Sequence, residues 1–181
     1  MNRIVILSTQ ERHKEFVQII ESKLSRNVHF IMDEDLLNIK LLKKINPEWI
    51  FVPHWNKFIN ETIWKNWKTI IFHMTDLPYG RGGSPLQNLI KRGHKYSYLS
   101  SIECSNGIDE GPIFLKTKYS LKGSAKQIFK RVDKAILKQI FILLEKNVEA
   151  KPQKGKPVIF KRRKPEQSDL NYCNTGDLIS W

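Results

Sequence analysis

Residues 71–83 read IFHMTDLPYGRGG and set a histidine at the end of an apolar run, with an arginine between glycines a few positions on. An imidazole in that place can move protons near neutral pH if a carboxylate orients it. Arg81 can pair with a carboxylate or phosphate, or tie its own loop down. Gly80, Gly82 and Gly83 let a backbone expose successive N–H groups and allow close approach. A second element, Asn106-Gly-Ile-Asp109-Glu-Gly-Pro112, has glycines that permit a tight turn able to aim Asp109 back toward the sheet. Alone, His73 reads as a structural strand-end residue and Asp109 as a turn residue; together they form a candidate proton-transfer pair.

The surrounding elements must position that pair. Ile4–Leu7, Val28–Met32, Trp49–Val52 and Thr69–Phe72 are short, nearly all-apolar strand candidates. Between them, Ser8–Glu11 reads as a capping box before a helix carrying Phe16, Ile19, Ile20 and Leu24, and Leu36–Lys44 reads as a second helix. Trp55, Phe58, Ile63 and Trp67 are expected to pack inward from a turn and short helix. This alternation predicts an α/β fold with a mostly parallel central sheet and helices on both faces. Functional groups then collect at the carboxyl ends of strands, where His73 falls. No G-x-G-x-x-G follows the first strand, so a dinucleotide site is not expected.

Downstream, Ser84–Gln87 reads as another capping box with Pro85 at the first helical position. Tyr96–Glu103 and Pro112–Tyr119 read as strands. Ser124–Gln127 caps a long helix whose stripe of Ile128, Val132, Ala135, Ile136, Ile140 and Leu143 is a core face. The division expected is one domain over 1–150 and a basic tail over 151–181 with a short strand at Val158–Phe160. The end at Trp181 is compatible with a shortened C-terminus.

At 181 residues, 40% hydrophobic and 10% aromatic, the chain has the make-up of a globular domain. The N-terminus shows no secretory-signal pattern, and no apolar run is long enough to span a bilayer. Cys104 and Cys173 match neither a zinc nor a redox spacing, which points to a reduced, cytoplasmic setting and no metal. The net charge of +13 suits anionic partners, although a Lys-rich composition alone accounts for much of it. Lys151–Glu166 stands above that background, with seven Lys/Arg against one Glu. It reads as a solvated tail or an anion-binding strip.

The strand-end His, the L-P-x-x-R-G loop, the P-L-Q helix start and the later G-I-D-x-G-P resemble the catalytic domain of the 10-formyltetrahydrofolate-dependent formyltransferases, over roughly Ile4–Leu144. The resemblance implies a Rossmann-like formyltransferase fold, 10-formyltetrahydrofolate as formyl donor, and transfer to an amine without a metal. By it, His73 takes a proton from the attacking amine and Asp109 holds the imidazole. Phe51, Val52, Pro53, His54 and Trp55, with Ser105, Asn106 and Gly107, match segments lining the pterin pocket. Thr75, Arg81, Gly82 and Gly83 face the substrate. One departure stands out: the family's Asn, two residues before the His, is Ile71 here. That Asn polarises the formyl carbonyl, and His54, Asn56 and Thr75 are the polar residues placed to take over.

The R-G-G-S-P wording and VIFKRRKPEQS resemble the subgroup that formylates nucleotide-linked amino sugars, commonly 4-amino-4,6-dideoxy sugars, in bacterial surface-glycan biosynthesis. A nucleotide-linked amino sugar is therefore the expected partner. A homodimer is compatible, and membrane or nucleic acid are not the expected partners. Methionyl-tRNA and glycinamide ribonucleotide formyltransferases, and a non-catalytic module that binds folate or nucleotide sugar, are the alternatives.

Overall fold

The computed structural model describes residues 3–168, so Cys173 and the end of the expected tail lie outside it. Six strands form the main sheet: β1 (Arg3–Ser8), β2 (Asn27–Ile31), β3 (Trp49–His54), β4 (Lys68–His73), β6 (Tyr96–Glu103) and β7 (Ile113–Ser120). Their order is β2-β1-β3-β4-β6-β7, the first four parallel and the last two added antiparallel. A separate two-stranded sheet pairs β5 (Tyr79–Gly82) with β8 (Val158–Phe160) in parallel.

The all-apolar strands are explained by two separate cores. Successive side chains in a strand point to opposite faces. Ile4, Ile6, Phe51, Ile70 and Phe72 therefore pack on one side, and Val5, Leu7, Ile50 and Val52 on the other. The first face is covered by α1 (Lys14–Leu24), α4 (Pro85–Lys91) and α5 (Ala125–Glu145), the second by α2 (Ile39–Ile45) and α3 (Glu61–Asn66). Burial at about 25 cal/mol per Å² of apolar area makes this two-sided filling the main stabilising term.

Of the three capping boxes read from sequence, only Ser124/Gln127 forms, with both reciprocal bonds present. The Ser8 hydroxyl instead bonds His13 Nδ1 at 2.7 Å, and only a short 3-10 turn, Glu11–His13, precedes α1. The Ser84 hydroxyl accepts from the Arg163 backbone N–H. Helix α2 starts three residues later than expected, because the Asn38 side chain caps the Leu41 N–H; Leu36 is left 55% exposed. Phe58, expected inside, is 80% exposed. Among the described residues, no helix is long and apolar enough to cross a membrane.

Candidate active site

His73 closes β4 and shares a face with Ile71, two residues earlier, which packs at the edge of the α2/α3 core. Its ring is nearly enclosed, with 9% of the side chain exposed. Nε2 lies 2.8 Å from the Gly80 carbonyl, which can only accept, so Nε2 carries a proton. Nδ1 faces the Asp109 carboxylate at 3.4 Å, longer than a formed charge-assisted bond. Asp109 sits in the left-handed region at φ 53, a conformation Asp tolerates better than most residues. Its Oδ2 also accepts from the Gly82 N–H at 2.8 Å. Thus the 109 turn and the 80–83 loop hold each other against the histidine.

The loop itself is fastened by residues far along the chain. Arg81 donates through Nε and Nη2 to Gln153 Oε1, and through Nη1 to Glu110. Gln153 Nε2 then donates to the carbonyls of Asp109 and Gly111. A Cβ on Gly82 would stand 2.5 Å from the Phe160 carbonyl, and one on Gly111 would stand 1.7 Å from that of Glu103. The glycines therefore serve close backbone packing within the protein. Gln153 was missed by sequence reasoning, since a lone amide in a Lys-rich tail carries no local signal.

The structure sorts the predicted binding residues. Phe51 and Val52 are fully buried in opposite cores, and Pro53 is buried beside them, so these three side chains face the interior. His54, Trp55, Ser105 and Gly107 are half-buried and Asn106 is exposed, so these retain accessible surface. The Trp55 indole N–H is buried without a partner, which leaves a donor available at this edge. Thr75 is fully buried and spends its hydroxyl proton on Gly80. Gly82 and Gly83 are covered by residues 159–162, and the Arg81 guanidinium is already paired, so all four act on the loop from within.

Asn56, one of the polar residues expected to take over from the amide absent at Ile71, is exposed. His54 Nδ1 is 3.2 Å from the Thr9 hydroxyl, on the strand paired with β1. Burial first, then the charges of Arg12 and His13, lower the His54 pKa. Cys104 is no nucleophile, because burial pushes its thiol up to about 12. What the arrangement can do is accept a proton at His73 Nδ1 and stabilise the resulting imidazolium with Asp109.

No family model matches the chain. A methionyl-tRNA formyltransferase from Thermodesulfovibrio yellowstonii is 26% identical over 149 residues, covering 78% of this chain and 48% of the relative. The chain spans about half the length of the curated relatives it matches. The solved structure of a methionyl-tRNA formyltransferase from Clostridium thermocellum superposes with a TM-score of 0.93 at 39% identity, over 99% of this chain and 81% of that one. A formyltransferase, PseJ from Anoxybacillus kamchatkensis, was solved with UDP-4,6-dideoxy-4-formamido-L-AltNAc and tetrahydrofolate. It shares the fold at a TM-score of 0.76 and 17% identity, covering 97% of this chain and 93% of that one.

The parallel sheet with an antiparallel edge, and a His–Asp pair at the end of β4, define a formyltransferase-type α/β domain. With 39% identity across most of a solved relative, the chain belongs to the methionyl-tRNA formyltransferase-like formyltransferase family.

Proposed function

We propose that this protein transfers the formyl group of 10-formyltetrahydrofolate to an acceptor amine, with His73 as the base and Asp109 as its electrostatic partner. The observation that carries the reading is the His73–Asp109 pair, held at 3.4 Å with Nδ1 as the nitrogen able to take a proton. The amine would attack the formyl carbon and pass its proton to Nδ1, giving an imidazolium that pairs with Asp109; the formyl C–N10 bond would then break, and the imidazolium would return the proton to N10 of the departing tetrahydrofolate. The accessible edge formed by His54, Trp55, Ser105, Asn106 and Gly107 would hold the folate, whose formyl group is the chemistry the donor supplies.

Methionyl-tRNA is the acceptor favoured by the relatives, since the curated relative named above and the 39%-identical structure are both methionyl-tRNA formyltransferases. A nucleotide-linked amino sugar is the second reading, supported by the R-G-G-S-P wording after Pro78 and by the fold shared with PseJ. The test offers 10-formyltetrahydrofolate with each acceptor in turn and reads the product by mass. One added formyl group, absent with His73→Ala, is the expected result. No transfer to either acceptor by a protein that binds the folate would sink the enzymatic reading in favour of a binding module.

A further inference from the structure

Beside the fastened loop lies a hollow of about 450 Å³ between α4 and the segment after β8. Lys91, Arg92, Lys161, Arg162, Arg163 and Lys164 line it, with Asn88 and Gln167, and among the described residues no carboxylate does. Its volume falls in the range of ligand pockets.

The hollow is also built. The Arg92 guanidinium is stacked 4.9 Å from the Phe160 ring, which fixes its direction. Asn88 Nδ2 donates to the carbonyls of Gly83, Ser84 and Lys161, joining helix, loop and tail at one point. The Arg163 N–H donates to Ser84 Oγ, and the Gly83 N–H to the Phe160 carbonyl. So the cations are anchored to the same 80–84 loop that contacts His73 and Asp109. A second basic hollow, lined by Lys122, Lys130, Arg131 and Lys134, has no such tie.

We propose that the α4–tail hollow binds phosphate groups of the acceptor and so sets the amine relative to His73. The phosphate chemistry stands on the hollow alone; its assignment to the acceptor rests on the formyl-transfer reading. The same chemistry has two sources, the phosphodiesters of a tRNA end or the diphosphate of a nucleotide sugar.

The experiment compares the full chain with a variant carrying Lys91→Gln, Lys161→Gln, Arg162→Gln and Lys164→Gln. Because Arg92 and Arg163 are kept, the packed side of the hollow is preserved, and thermal melting verifies the fold. Labelled tRNA and the nucleotides UDP and dTDP are the probes. Supporting results are tRNA binding weakened at least about tenfold, with a salt dependence flattened by about three to four units, or UDP or dTDP binding weakened to a similar degree. The first identifies RNA as the source, the second a nucleotide. Equal binding by both proteins, or no binding of any probe, overturns the proposal. Variant-sensitive binding without formyl transfer to either acceptor sinks the enzymatic reading and leaves the phosphate site standing.

Discussion

Two His–Asp pairs sit at the carboxyl edge of this sheet, and they differ in the way that matters. His13 is fully buried between Ser8 and Asp133, with contacts of 2.7 and 3.0 Å. The Asp133 carboxylate can only accept, so Nε2 carries a proton, and in the neutral ring Nδ1 then accepts from the Ser8 hydroxyl. Every lone pair and proton of that ring is used. His73 has one good bond, to Gly80, and one long contact, to Asp109, with a sliver of accessible surface. The Ser–His–Asp with better distances is thus the closed one, with none of the His13 side chain exposed. It joins β1 to α5 and fixes Arg12, which pairs with the same Asp133. The looser pair keeps an unspent lone pair, which a proton-transfer site requires.

The largest expected effect follows from that contrast. His73→Ala should lower kcat for formyl transfer about 10³-fold, with urea stability close to wild type. Next, His13→Ala should cost about 3 kcal/mol by leaving Ser8 and Asp133 without their partner. Its kcat per folded molecule should stay near wild type. Chemical denaturation and steady-state rates on the same preparations check both, and equal loss of rate in the two variants would erase the distinction drawn here.

A smaller effect sharpens the active pair. Ile71→Asn places an amide on the face His73 shares, and oxyanion donors are worth about 10²–10³ in rate where they exist. A rise in kcat of about tenfold is expected, together with about 1 kcal/mol lost from burying a polar group. An unchanged kcat would mean that another donor already serves the carbonyl. The smallest effect concerns His54. Its folded-state pKa lies below 6.5, so the unfolded chain binds more protons as pH falls through that region. Stability should therefore decline on acidification from about pH 6.5 and lose this contribution to the slope in His54→Gln. Urea midpoints at neutral and mildly acidic pH give the comparison.

Sequence reasoning located the six strands of the main sheet, α5 and its cap because apolar runs and the Ser124–Gln127 spacing act locally, but it read β5 (Tyr79–Gly82) as a loop, since its partner strand lies at Val158–Phe160. It also singled out His73 and Asp109 together, and the fold brings their side chains to 3.4 Å. It went astray at Ser8 and Ser84, whose hydroxyls were assigned to adjacent helices but are claimed by His13 and by Arg163, 79 positions away. The buried His13 and the clamp residue Gln153 were invisible for the same reason: their partners lie 120 and 72 residues distant, at Asp133 and Arg81. Arg81 shows the limit clearly. Its flanking glycines signal a special loop, and only the fold reveals that the special neighbour is the chain's own tail.

The parallel pairing of β5 with β8 sets an order of assembly. Synthesis runs from the N-terminus, and domains fold as their segments become available. The six-stranded sheet has all its strands once Ser120 is made, whereas the loop beside His73 waits for Phe160, about 40 residues later. A nascent chain that ends between Glu145 and Val158 would have its sheet and α5 in place and still lack the β5–β8 pairing, so the loop beside His73 is fastened as a separate, final event.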